Sequence, residues 1–343
     1  MKALQYLSIG APPEIVELPD PVPGAGELVL QVTAAGLCHS DLFIMGLESE
    51  RFSARYPLPL TLGHEGVGKV VATGPGVTGV SIGDAMAVYA PWGCGVCAAC
   101  AAGKENYCSR MEGKAVRRPG SLAEYMLIDS VRHLVPLGHL DPVESVALTD
   151  AGLTPYHAIK KSLHVLGPGS TAVVIGVGGL GHVALQIIRA MTSSTVIAVD
   201  LTEEKLRFAR AAGAHQAVLS HSGTEGAILE LTAGRGADAV FDFVGSETTA
   251  ALAGAIAATE GEISMIGLSG GAVEVGVQTT RPDVTVRAPY WGSRAELFEV
   301  LELARSGQIK VHVEAFGMND AAHAYELIAS GEVLGRVVVV PGG

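Results

Sequence analysis

Hydrophobic and polar positions divide the chain into two patterns. From residue 1 to about 150, short apolar or alternating runs are broken by Pro/Gly turns. The turn PDPVPGAG at 19–26, for example, is followed by residues 27–34, which alternate like a strand with one solvated face. Such spacing predicts a barrel-like β domain of many short strands. Beyond Asp150 helical and strand patterns alternate, as in a parallel sheet with crossover helices. Strands are expected at 172–175, 195–199, 217–220, 239–244, 263–268 and 284–287, the six of a doubly wound sheet. An amphipathic helix at 203–212 ends at Gly213, a residue suited to a left-handed C-cap. From about Trp291 the pattern changes again, to a helix at 295–306 and a closing strand at 335–340.

The most informative stretch is TAVVIGVGGLGHVALQIIRAMTSSTVIAVD, residues 171–200. An apolar strand runs into Gly176, Gly178, Gly179 and Gly181, with Leu180 between the last two, and a helix carrying Val183, Ile187 and Ile188 at helical spacing follows. The first glycine permits the tight turn, the second lets backbone approach a diphosphate, and the last lets helix pack on strand. The helix N-terminus then directs unpaired N–H groups at that turn. A second strand ends in Asp200, whose carboxylate can accept hydrogen bonds from both ribose hydroxyls and repel a 2′-phosphate, selecting NAD over NADP. Two plainer readings compete. A membrane helix over 171–188 is opposed by four glycines and short apolar blocks, and Asp200 could cap the helix starting near Thr202-Glu203-Glu204 while also meeting a ribose.

A chain of 343 residues that is 48% hydrophobic has enough length and apolar content for about two domains with sizeable cores. A net charge of −12 argues against a nucleic-acid or anionic-membrane partner. No N-terminal signal segment is visible: Met1-Lys2-Ala3-Leu4 runs straight into a strand-like stretch. Of the five cysteines, Cys94, Cys97, Cys100 and Cys108 follow a C-x2-C-x2-C-x7-C spacing, which points to a closed tetrahedral structural zinc site in a reducing cytoplasm, not to disulfides. A zinc ribbon gripping nucleic acid would carry basic and aromatic residues around the knuckle, where Lys104 stands nearly alone.

Two further motifs carry candidate chemistry. In Gly36-Leu37-Cys38-His39-Ser40-Asp41, Cys38 is either a thiolate metal ligand with Ser40 as a nearby proton-passing hydroxyl, or a structural cysteine buried at a loop. In Gly63-His64-Glu65-Gly66, an imidazole beside a carboxylate suits a zinc site, the acid orienting a ligand or exchanging into the shell; a core histidine satisfied by backbone is the alternative. Asp150 alone reads as an N-cap for a helix at 151–159.

Taken together with TDAGLTPYHA at 149–158 and PYWGSR at 289–294, these motifs resemble the medium-chain zinc-dependent alcohol dehydrogenases, most closely the actinobacterial secondary-alcohol enzymes, over essentially the whole chain. The resemblance implies a GroES-like catalytic domain at 1–152 with a structural zinc lobe, an NAD-binding Rossmann domain at 153–290, a return to the catalytic domain at 291–343, and an active site in the cleft between domains. It implies two zincs per chain. Cys38, His64 and Asp150 would hold the catalytic one, with Asp41 orienting His64 and Glu65 as the exchangeable acid. Thr154, Lys205, Val244, Ile266, Gly267 and Leu268 would join the glycine turn and Asp200 around the cofactor. Several members end the proton relay with a histidine where this chain has Phe43, so the relay would run from Ser40 through the cofactor ribose to water or to His39. Phe43, Tyr56, Trp92 and Trp291 are candidate walls of the substrate pocket.

The activity implied is reversible hydride transfer between a small apolar alcohol, secondary in preference, and NAD, in a cytoplasmic homo-oligomer, dimer or tetramer. A polyol or amino-alcohol dehydrogenase, a zinc-free quinone or enoyl reductase, and a non-catalytic scaffold are the alternatives; the last predicts a lost ligand, and none is lost.

Overall fold

Residues 1–342 are described by the computed structural model, which divides into two units: Met1–Leu153 with Trp291–Arg305 and Val311–Gly343, and Thr154–Tyr290 with Ser306–Lys310.

In the first unit the turn-punctuated pattern folds into two sheets. The larger has seven strands, in the order Val313–Gly317, Arg336–Val340, Leu28–Leu37, Glu65–Thr73, Ala85–Val88 and Leu134–Pro136, with Tyr125–Ile128 paired to Leu28–Leu37. The smaller has three: Glu14–Glu17, Lys2–Tyr6 and Leu60–Thr61. The ten-residue strand Leu28–Leu37 is the spine, because three neighbours hydrogen-bond to it. It bends at two register shifts against Glu65–Thr73, at Val29/Leu30 and Val32/Ala34. Leu4, Tyr6, Leu28, Leu30, Leu37, Phe52, Leu62 and Met126 fill the core, and the C-terminal helix Ala321–Ser330 adds Ala324, Tyr325 and Ile328.

In the second unit the six strands are all parallel. They are Thr171–Ile175, Thr195–Asp200, Gln216–Leu219, Ala237–Asp242, Ala257–Met265 and Thr285–Arg287, arranged across the sheet as 3-2-1-4-5-6 in chain order. The first strand, Thr171-Ala172-Val173-Val174-Ile175, is wholly buried, as a largely β-branched run should be in a sheet covered on both faces. Several ends differ from expectation. The fourth and fifth strands start earlier and stop at Asp242 and Met265, leaving 243–245 and 266–268 as loops at their carboxyl ends. The fifth carries a kink at Glu260, φ 58°, with a register shift beside it, and its first part, AATEGE, shows no regular alternation for a periodicity reading to find.

Candidate active site and metal centres

The first cluster is assembled from three places in the first unit. Cys38 follows the spine strand and holds the N-cap position of the helix His39–Met45, and its own N–H donates to Asp41 Oδ2 at 3.1 Å. His64 sits in the bend between Leu60–Thr61 and Glu65–Thr73. There Gly63 takes φ +88°, and the Ser121 hydroxyl and N–H reach the carbonyls flanking His64. Asp150 closes the 3-10 turn Val146–Thr149, and the helix that follows starts only at Leu153. It is therefore not that helix's N-cap; its carboxylate faces Cys38 and His64 instead.

The donor atoms converge. One atom each from Cys38, His64, Glu65 and Asp150 lies within 4.8 Å of every other, and all four residues are buried. His64 Nε2 is 3.3 Å from Asp150 Oδ2, and Cys38 Sγ is 3.8 Å from the same oxygen. The other ring nitrogen, Nδ1, meets Asp41 Oδ1 at 3.1 Å, which turns Nε2 toward the cluster. Ser40 Oγ stands 3.5 Å from Nε2. Glu65, fully buried, is gripped by the guanidinium of Arg336, whose Nη2 also lies 3.5 Å from Asp150 Oδ2.

Electrostatics agree with a cation-binding cluster. Burial pushes the Cys38 thiol up, but the charge of Arg336 and the hydrogen bond with His64 outweigh it and hold the thiol below its ordinary value. Burial likewise opposes protonation of His64, yet the charge of Asp41 and the hydrogen bonds that the ring makes to Asp150, Asp41 and Cys38 carry it well above the usual imidazole range. Positive charge is favoured at this point, and three acidic side chains around a thiol exceed what one arginine offsets. The donor set fits a divalent metal of borderline softness such as zinc, with Cys38, His64 and Asp150 as ligands and Glu65 within reach.

A second cluster brings the sulfurs of Cys94, Cys97, Cys100 and Cys108 within 4.8 Å of one another, an all-thiol set that fits a structural zinc. Backbone N–H groups of Cys94 and Arg110 reach Cys108 Sγ at 3.4 Å, and Arg110 Nη2 reaches Cys94 Sγ at 3.2 Å. The N–H of Val96 holds the Cys94 thiol down at about 6, and that of Cys100 lowers Cys97, while burial pushes Cys100 up to about 12. Gly93 is required here: a Cβ would stand 2.6 Å from Cys100 Sγ.

In the second unit, Gly176 takes φ +88°, a Cβ on Gly178 would meet nothing, and one on Gly181 would collide with the Gly176 carbonyl. Open space over the turn and close packing beneath it are what a diphosphate cradle needs. The helix Gly181–Met191 starts at Leu180 without a side-chain cap. Asp200 accepts from Val177 N at 2.6 Å on one oxygen and Leu201 N at 2.7 Å on the other, and each oxygen keeps a lone pair for a ribose hydroxyl. The cap of the next helix is the Thr202 side chain, so Asp200 is free of that duty; Lys205 lies in its first turn. Asp242 Oδ1 accepts from Val244 N and Gly245 N at 2.9 Å, and its carbonyl takes Ile266 N and Gly267 N. It thereby fixes both strand-end loops, with Leu268 exposed beyond them, while Thr154 is buried in its helix.

Residues 24–139 match the alcohol dehydrogenase GroES-like domain and residues 179–306 the zinc-binding dehydrogenase family. An NAD-dependent alcohol dehydrogenase of Sulfurisphaera tokodaii is 34% identical over 99% of this chain and 100% of its own length. This chain belongs to the medium-chain, zinc-type alcohol dehydrogenase family. Among solved structures, the alcohol dehydrogenase of the archaeon Aeropyrum pernix superposes with a TM-score of 0.93 at 33% identity, covering 99% of this chain and 100% of that one. A D-arabinose 1-dehydrogenase (NADP(+)) of Saccharolobus solfataricus is 33% identical over 99% of this chain and 97% of its own. The relatives are archaeal and bacterial family members, broader than the actinobacterial branch that the motifs suggested.

The remaining expected residues divide. Trp291 meets His64 edge-on, ring centroids 5.7 Å apart, from a backbone at φ 48°. Tyr56 is half-buried against Phe52, centroids 5.2 Å apart, and burial raises its phenol. His39 and Phe43 are exposed on the helix that starts at the cluster. Trp92 stacks on His133, has the Lys114 amine 3.9 Å from its ring centroid, and lines a cavity of about 500 Å³ with Cys94 and three arginines. It is not among the residues whose donor atoms converge around His64. Arg336, Ser121, Asp242 and Tyr325 were not anticipated; only Arg336 left a signal, a lone charge heading the apolar run Val337-Val338-Val339-Val340.

Proposed function

We propose that this family member oxidises small apolar secondary alcohols with NAD, and reduces the corresponding ketones, using one zinc in each of the two clusters. The observation that carries the reading is the buried convergence of Cys38, His64, Glu65 and Asp150. Cys38, His64 Nε2 and Asp150 would hold the catalytic zinc and leave a fourth position exchangeable. What zinc supplies when bound is Lewis acidity, which lowers the pKa of an alcohol oxygen. What NAD supplies is the hydride acceptor. Asp41 keeps His64 in the tautomer whose Nε2 is a lone-pair donor, and Ser40, 3.5 Å from that nitrogen, would take up the alcohol proton and pass it on, with His39 beside it as a candidate acceptor. Arg336 holds Glu65 at the edge of the donor set as the exchangeable acid. The glycine turn binds the diphosphate, Asp200 selects NAD, and Thr154, Lys205, Val244, Ile266, Gly267 and Leu268 complete the cofactor contacts. Trp291, Phe43 and Tyr56 would shape the pocket; the secondary-alcohol preference rests on aspartate as third ligand, as in the branch the motifs resemble.

We further propose a cytoplasmic homo-oligomer. Five free cysteines suit a reducing compartment. The sheet ends in the three-residue strand Thr285–Arg287, and Val275 and Val277 in the preceding segment are exposed, which suits a subunit contact. A polyol dehydrogenase is the second reading, favoured by the arabinose-oxidising relative. Following NADH and NADPH formation with 2-propanol, ethanol, glycerol and D-arabinose decides between them. The proposal expects 2-propanol with NAD to give the highest kcat/KM; D-arabinose or glycerol leading would replace it with the second reading.

A further inference from the structure

We propose that Tyr325 is a positioning residue of the metal cluster around His64, fixing from the C-terminal helix the carboxylate that orients the imidazole. This rests on the ligand set proposed above. The Tyr325 hydroxyl donates to Asp41 Oδ2 at 3.0 Å across 284 residues of sequence, while Asp41 Oδ1 meets His64 Nδ1 at 3.1 Å. Tyr325, Asp41 and His64 are 4%, 1% and 5% exposed, so no water supplements these contacts from bulk solvent.

A terminal carboxylate torsion is soft. With Cys38 N alone on Oδ2, Asp41 would be tethered only to its own helix turn and could pivot, taking Oδ1 out of line with Nδ1. Tyr325 supplies the second donor to that oxygen, from a different element, and closes a chain from Ala321–Ser330 through Asp41 to His64. Packing alone does not call for the hydroxyl. The buried face of this helix is otherwise Ala321, Ala324 and Ile328, all part of the apolar core of the first unit, where a phenyl ring would fill the same space. A hydroxyl in such surroundings is costly unless paired, and Asp41 is its partner.

The test is Tyr325→Phe in the full chain, with Ile328→Val on the same helix face as a packing control. Zinc affinity is read by chelator competition, and the ligand field by the visible spectrum of the cobalt-loaded protein. Removing a ligand's own hydrogen-bond partner weakens metal binding by roughly 10–100-fold, and Tyr325, one hydrogen bond further out, is expected at the low end of that range. Tyr325→Phe is therefore expected to lose about tenfold in affinity at the His64 cluster, with shifted cobalt bands, while the four-cysteine site stays as it was and Ile328→Val moves neither readout. In an Asp41→Asn background the same substitution adds nothing. Affinity and cobalt bands within twofold of wild type, effects equal to those of Ile328→Val, or additivity with Asp41→Asn would overturn the inference. A wild type that takes up metal only at the four cysteines would overturn the ligand set itself, and this inference with it.

Discussion

Replacing Arg336 by methionine tests the charge balance of the cluster. The guanidinium is 5% exposed and faces Glu65, which is 0% exposed, through Nε at 3.2 Å and through Nη2, and lies 3.5 Å from Asp150 Oδ2. Methionine fills much of the volume but leaves the buried carboxylate without its counter-ion. Removing one partner of a buried pair costs roughly 3–5 kcal/mol, chiefly the cost of an uncompensated charge. For a unit of this size that corresponds to a melting transition lowered by about 6–20 °C. Bound zinc offsets the same anions, so the loss is expected to be larger in protein stripped by a chelator than in protein saturated with zinc. Adding Glu65→Gln to Arg336→Met removes the orphan charge and recovers most of the loss. Melting curves of all three proteins, with and without zinc, provide the readout. A metal-free Arg336→Met protein within about 1 kcal/mol of wild type would refute the reasoning.

Further outcomes follow from other parts of the molecule. Cys97→Ser removes one of the four clustered sulfurs and is expected to release that metal and lower thermal stability, measured as metal retained after gel filtration. Asp200→Ala removes the carboxylate that accepts from Val177 and Leu201; NAD affinity falls, NADP discrimination relaxes in the KM ratio, and loss of the hydrogen bonds costs about 1–3 kcal/mol in urea unfolding. Lys114 is buried, donating to Leu127 O at 3.0 Å, and burial lowers its amine from the usual 10.5 to about 7. Between those values the unfolded chain binds more protons than the folded one, so this group makes stability rise with pH. Relative to Lys114→Met, the wild type should gain up to about 1.4 kcal/mol per pH unit from pH 7 to 10; a pH-independent difference would exclude the effect.

The parts legible in sequence were those written in local patterns. The buried strand Thr171–Ile175, the glycine turn and Asp200 announce themselves because each role constrains residue type within thirty positions. The cysteine lobe is equally local. Strand ends were not, because the loops at 243–245 and 266–268 continue the apolar composition of their strands and are bent by Asp242 and by backbone contact, not by Pro or Gly alone. Asp150 shows how a local rule can mislead: an acid before a helical pattern reads as a cap, yet the helix starts three residues later and tertiary packing turns the carboxylate into the cluster. Arg336 and Tyr325 contact Glu65 and Asp41 across 271 and 284 residues, and no local pattern carries such a pairing. The packing of Trp92 against His133 and Lys114 was equally illegible, since no local pattern joins residues 92, 114 and 133.

The central claim is that Asp150 completes a catalytic zinc site with Cys38 and His64. The most direct measurement is zinc content per chain, by elemental analysis, in wild type and Asp150→Asn, with NAD-dependent 2-propanol oxidation followed on the same samples. The account predicts two zincs in the wild type, one for each cluster, falling towards one in the variant as activity is lost. One zinc in both proteins, with oxidation unchanged, would contradict it.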